Sequence, residues 1–225
     1  ANSRFIKILN QLPGQPIPEN LGGGQVAKNL LGVIVTGDLV DSFDKTGGHY
    51  DAMGKYEWHR YVADYGLTGN DGKIPWPVYD LHGNHDGPQG NTFITDALIE
   101  RNKIRPHVGH ISSNGLHYSW DWGPLHGVWE TLTNYNVVAL VHGHTHGSPP
   151  SKLTWDGKTF GRDLPDSIDV FNPDDSGAAK TDPRDPTKAV GLYHGLLYAE
   201  LVDAPGMEDD TLVVRSYFTR DNWST

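Results

Sequence analysis

Apolar side chains along this chain follow two spacings. Residues 31–36, Leu-Gly-Val-Ile-Val-Thr, form a short apolar run rich in β-branched side chains, the pattern of a strand covered on both faces. Residues 77–81, Pro-Val-Tyr-Asp-Leu, repeat it behind the breaker Pro75, and residues 137–141, Val-Val-Ala-Leu-Val, make a third such run. Between the first two, Trp58, Tyr61, Val62 and Tyr65 recur at helical spacing, which predicts a core-facing helix over 51–65 stopped by Gly66. Asn91 is placed to cap a second helix running to Arg101, with Ile94, Ala97 and Leu98 turned inward. Shorter helices are expected over 4–10 and 25–30, separated by a Pro- and Gly-rich loop over 12–24. Residues 116–122 alternate as a strand, Gly123-Pro124 turn the chain, and 125–129 supply the partner. After residue 146 the texture is that of hairpin fragments, at 152–159, 168–171, 195–202 and 211–218, while 172–187 has little to bury. This order predicts one α/β domain over 1–225, a β-sandwich flanked by helices, with a β-rich final third from about 147.

The three apolar runs end alike. The first leads into Gly37-Asp38-Leu39-Val40-Asp41, the second into Gly83-Asn84-His85-Asp86, and the third into His142-Gly143-His144-Thr145-His146. In α/β sheets the C-terminal edge of the strands is where ligands bind. The Asn84 amide oxygen is a hard neutral ligand, His85 can carry a proton near neutral pH, and Asp86 can orient it. Read alone, each stretch has a plainer meaning: a polar turn closing a strand at 83–86, a run of surface histidines at 142–146. His144 and His146 share a face only in extended or looped backbone, since a helical pair needs a spacing of three or four.

Gly-Asp, Gly-Asn-His-Asp and Gly-His-Thr-His, in that order and each after a strand, resemble the calcineurin-like metallophosphoesterase superfamily. The resemblance implies two metal ions sharing the Asp38 carboxylate, with Asn84 and His144 on the second metal and His146 on the first. It implies that His85 helps the ester oxygen leave and that Asp86 supports His85. Imidazole nitrogens with carboxylate and amide oxygens suit Mn, Fe, Zn or Ni. The implied reaction is metal-dependent hydrolysis of a phosphomonoester or phosphodiester. The family also begins with a strand ending in Asp-x-His, and none occurs before Gly37; the first strand is therefore expected to be lacking. For the family's middle metal-ligand His the nearest candidate is His126, whose place is that of an interior hairpin residue; His107, His110 and His117 are others, expected to be structural or exposed. The first metal keeps only Asp38 and His146, so at most one tightly bound ion per chain is expected, on the Asn84 side, with weak turnover. The alternative is a catalytically degenerate scaffold that binds metal or a partner. Asp41 is expected to brace the Gly-Asp loop, and the Asp174-Asp175 pair to be solvated.

Charge and composition narrow the partners. A formal net charge of -10 argues against a nucleic-acid partner held by non-specific electrostatics. It leaves room for a small phosphate-ester substrate, because bound cations reverse the local field. The chain has no Cys, so disulfides and thiolate metal sites are ruled out. No apolar run approaches the ~18 residues that span a bilayer, so no membrane partner is expected. A secreted or periplasmic location is slightly preferred over a cytoplasmic one. Self-association is expected through an open strand edge or the aromatic region of Trp120, Trp122 and Trp129.

Overall fold

The computed structural model describes residues 2–19, 23–87, 92–128, 139–141, 152–155, 160–161, 168–171, 179–182, 185–192, 194–202 and 211–219. The chain divides into two compact units, Ile6–Asn134 and Tyr135–Thr225 with Ala1–Phe5. Helices combine with several small sheets in a mixed α/β fold.

The helix α1 (Asn2–Gln11) buries Ile6 and Leu9. A loop follows whose ends are tied, with Gly14 donating to the Val26 carbonyl and Val26 to that of Gln15, both at 2.9 Å. This is why the helix expected over 25–30 does not form. The backbone groups of Gln25 and Val26 are committed to a bridge across the loop, with Pro16 opposite Gln25. The strand β1 (Val33–Val35), the helix α2 (Gly48–Tyr65) and the strand β2 (Val78–Asp80) come next, and β1 and β2 pair in parallel, with Val33 opposite Val78 and Val35 opposite Asp80. A parallel pair needs a crossover of a dozen or more residues, which α2 supplies. Trp58, Tyr61 and Tyr65 are its buried face, with Tyr61 and Tyr65 ring centroids 4.7 Å apart. Gly66 closes the helix at φ 69°, its N–H bonding the Val62 carbonyl.

After α3 (Thr92–Ile104) come β3 (Val108–Ile111), β4 (Tyr118–Trp122) and β5 (Leu125–Val128), an antiparallel sheet with β4 in the middle. The β4–β5 hairpin was legible; β3 was not, because Val-Gly-His-Ile is too short to show a period. Tyr79, Leu81, Tyr118 and Trp120 form a core cluster, and Trp122 packs against it. The aromatic surface expected at Trp120 and Trp122 is therefore interior: Trp120 is buried, and Trp122 is half-buried, its Nε1 donating to Tyr79 Oη at 3.3 Å. Trp129 lies outside the described residues.

In the other unit β6 (Ala139–Val141), β7 (Lys152–Trp155), β8 (Phe160–Gly161) and β9 (Ile168–Phe171) form a sheet in the order β6-β9-β7-β8, with β6 parallel to β9. The strand β10 (Ala179–Asp182) pairs with β11 (Asp185–Leu192), and β12 (His194–Val202) with β13 (Thr211–Thr219), both antiparallel. Strand pairing thus enters 172–187 despite its polar composition, since ladder hydrogen bonds do not require apolar side chains.

Asp80 is the hub of the first unit. It is buried, yet Arg101 Nη2 reaches its Oδ2 and Arg105 Nη2 its Oδ1, each at 2.5 Å. Tyr61 Oη donates to Oδ2 at 3.1 Å, and Tyr118 Oη to the Asp80 carbonyl at 3.0 Å. Arg101 also donates to the Gly66 carbonyl at the end of α2, and Arg105 to the Val78 carbonyl. Both guanidinium groups lie over aromatic rings, Arg105 at 4.7 Å from the Tyr118 centroid and Arg101 at 5.6 Å from that of Trp58. Burial, then the neighbouring Asp80 charge, holds the Tyr61 hydroxyl well above its ordinary pKa, so it stays a donor. Removing one member of such a buried set strands the others. Asp80→Ala is expected to destabilise this unit by roughly 3–5 kcal/mol in chemical denaturation. A loss below ~1 kcal/mol would show that the hub does not hold the fold.

Candidate functional site

Parallel pairing places the ends of β1 and β2 side by side, and Leu81 N–H extends the ladder to the Val35 carbonyl at 3.0 Å. The loops that follow then meet glycine against glycine. A Cβ on Gly37 would lie 2.9 Å from Gly83 Cα, and one on Gly83 would run into the backbone and carboxylate of Asp38. Gly37 has φ 105°, and Asp38 itself has φ 53°, a left-handed conformation that costs energy for a residue with a side chain. That conformation is held from across the gap, where His85 N–H donates to Asp38 Oδ1 at 3.0 Å.

Asp86 locks the two loops together. It is fully buried; Oδ2 accepts from Gly83 N–H at 2.7 Å and Oδ1 from Val40 N–H at 2.9 Å. Burial pushes its carboxyl up to about 7, against the pull of these N–H groups and that of Leu39. Two expectations are corrected here. Asp41 does not brace the Gly-Asp loop: its side chain is exposed and pairs with Lys45 at 2.5 Å. The carboxylate nearest the His85 ring is not Asp86, whose oxygens are turned to the backbone, but Asp44, with Oδ2 2.8 Å from Nδ1. That approach is close but lacks the alignment of a hydrogen bond.

The loop after Asp38 is also tied to α2. Glu57 Oε2 accepts from Asp41 N–H at 3.0 Å and Oε1 from Ser42 Oγ at 2.9 Å. His82 was not singled out by the sequence. It is half-buried within electrostatic reach of Asp38; burial lowers its pKa, and the Asp38 charge opposes this. Its one signal was proximity to Gly83, which names no role. His126 sits opposite Asp121 in the β4–β5 hairpin, Nδ1 2.5 Å from Asp121 Oδ1 and exposed, as a hairpin residue would be.

Of the proposed site residues, then, Asp38, Asn84, His85 and Asp86 come together on two adjoining loops. His144 and His146 lie outside the described residues, as do Asp174 and Asp175. Among the described residues no group of three or more His, Asp or Glu side chains is arranged to hold a metal ion. The donors that are described fit one in kind. The Asp38 carboxylate is held by a backbone N–H beside the exposed residue Asn84, and carboxylate with amide oxygen suits a divalent cation.

Compared with known proteins, the chain matches no family model, no curated protein and no solved structure.

The glycine contact yields a direct test. Gly83→Ala is expected to cost roughly 1–3 kcal/mol, as overpacking does, because its Cβ meets the Asp38 backbone. Gly48→Ala, where a Cβ meets nothing within 4 Å, is the control and is expected to be neutral. Equal melting temperatures for the two variants would contradict the close approach of the loops.

Proposed function

We propose that this chain is a metallophosphoesterase-type α/β sandwich, lacking within these residues a counterpart of the family's first strand, that hydrolyses phosphate esters with a divalent metal. The observation that carries the reading is the locked pair of loops. Gly-Asp and Gly-Asn-His-Asp, the motifs of the resemblance, end adjacent parallel strands and touch at Gly37 and Gly83. A polar turn closing a single strand does not require that contact or a strained Asp38.

In this reading Asp38, Asn84 and His144 would hold one ion, with His146 and Asp38 left for a weaker second position. A metal there supplies Lewis acidity towards phosphoryl oxygen and activates water near neutral pH. The remaining work belongs to the protein. His85 N–H holds the Asp38 carboxylate, and in this reading the His85 ring would give a proton to the departing ester oxygen. Asp86 holds the Gly83 turn against Val40, fixing Asn84 and His85 relative to Asp38.

The second reading, a scaffold that binds metal or a partner without turnover, draws on the absence of Asp-x-His before Gly37. The two part on one experiment. Wild-type protein is expected to hydrolyse an aryl phosphate or aryl phosphodiester slowly and only with added Mn, and Asp38→Ala to lose more than ~100-fold, beyond the effect of removing a second-shell group. Metal-independent activity would sink the assignment, and metal bound without turnover would favour the scaffold. Elemental analysis after dialysis is expected to find no more than one ion per chain. Two well-occupied ions held by these residues alone would show that ligands have been overlooked.

A further inference from the structure

The chain from Asp38 to Phe43 is fastened residue by residue, and the fastenings come from different neighbours. His85 N–H holds the Asp38 carboxylate, and Asp86 accepts from Val40 N–H. The next two residues are taken by α2. Glu57 accepts from Asp41 N–H through Oε2 at 3.0 Å and from Ser42 Oγ through Oε1 at 2.9 Å. With both oxygens of one carboxylate occupied by consecutive residues, the direction of the loop is fixed as well as its distance from the helix. Three residues back on the same side of α2, a Cβ on Gly54 would lie 2.7 Å from the Phe43 ring, so that ring packs directly on the helix backbone. Ser42 and Phe43 are both buried, and the Ser42 carbonyl accepts from Lys45 N–H at 3.2 Å as the chain turns away.

We infer that Glu57 is a positioning residue for the cation site: by gripping Asp41 and Ser42 it keeps Asp38 in its left-handed turn, with the carboxylate in place before an ion arrives. This rests on the reading of Asp38 and Asn84 as metal ligands, and it adds α2 to the parts of the fold that determine ion affinity. The left-handed backbone of Asp38, φ 53°, persists only where its surroundings over-determine it. Gly83 and the His85 N–H constrain it from across the gap, and Glu57 constrains the chain that leaves it. A ligand already in place loses little freedom on binding, whereas one on a loosened loop must be ordered first, and affinity falls by that cost. The role is geometric and separable from charge. In Glu57→Gln the amide oxygen can still accept from Asp41 N–H while the amide N–H donates to Ser42 Oγ, because a hydroxyl also accepts. That variant keeps the clamp and removes the charge.

The test measures Mn affinity, from the EPR signal of free Mn, for wild type, Glu57→Ala, Glu57→Gln and Ser42→Ala. Tyr61→Phe is the control for lost stability alone, since Tyr61 bonds to Asp80 and not to the loop. Glu57→Ala is expected to bind Mn about 10–100-fold more weakly, the scale on which groups that orient metal ligands act. Ser42→Ala, which cuts one arm of the clamp, should lose less, and Glu57→Gln should stay near wild type. Tyr61→Phe should melt lower yet bind Mn as wild type does. The inference is overturned by wild-type affinity in Glu57→Ala, by Glu57→Gln falling as far as Glu57→Ala, or by an equal loss in Tyr61→Phe. A second arm needs no metal: the Asp38 13Cα and 13Cβ shifts, which report a left-handed backbone, should move in Glu57→Ala and Ser42→Ala and hold in Glu57→Gln. Unmoved shifts in Glu57→Ala overturn the clamp. If Glu57→Ala does not fold, Ser42→Ala and Glu57→Gln decide both arms. If wild type binds no Mn, the cation-site reading fails, and the 13C shifts alone decide whether Glu57 holds the Asp38 turn.

Discussion

One buried carboxylate, that of Asp80, sets the frame on which the site stands. Taking a charge out of water costs several kcal/mol per ion, and here it is offset by two guanidinium groups, a tyrosine hydroxyl and aromatic rings. The partners come from different elements: Tyr61 from α2, Arg101 from α3, Arg105 just beyond it and Tyr118 from β4. Asp80 is also the last residue of β2, opposite Val35, the last of β1. The electrostatic hub and the ends of the parallel pair β1 and β2 thus occupy the same place. Whatever holds Asp80 holds the starting point of the loop that carries Asn84 and His85.

From that point the geometry is a matter of steric permission. Two loops can touch only where neither has a Cβ at the contact, and Gly37 and Gly83 meet this condition. Asp38 then accepts a left-handed backbone because the His85 N–H and the facing loop hold it there. Asp86 completes the lock by accepting from Val40 N–H on one loop and Gly83 N–H on the other. A carboxylate, an amide and an imidazole are thereby brought to the C-terminal edge of a parallel pair, the place where α/β folds bind ligands.

How much of this was legible follows from what each residue does. Periodicity found α2 because Trp58, Tyr61 and Tyr65 all face the core, and it found β2 because its side chains are buried on both faces. It missed the true state of 25–30, where the backbone bonds to residues 14 and 15 rather than to itself. The motif residues Asp38 and Asn84 to Asp86 were visible as types in a pattern. Their partners were not. Nothing in the run 77–81 marks Asp80 as a hub, because its arginines lie more than twenty positions away. Likewise Asp86, expected beside the His85 ring, turns to the Gly83 backbone, and the carboxylate found near that ring is Asp44: sequence adjacency does not fix side-chain direction.

The central claim is that the Asp38 and Asn84 loops together form a cation site, and paramagnetic relaxation by Mn reads this directly. Substoichiometric Mn added to 15N-labelled protein is predicted to broaden first the amide signals of Gly37, Asp38 and Gly83 to His85, with Asp38→Ala abolishing the effect. Broadening confined to other acidic segments, or unchanged in Asp38→Ala, would contradict the account.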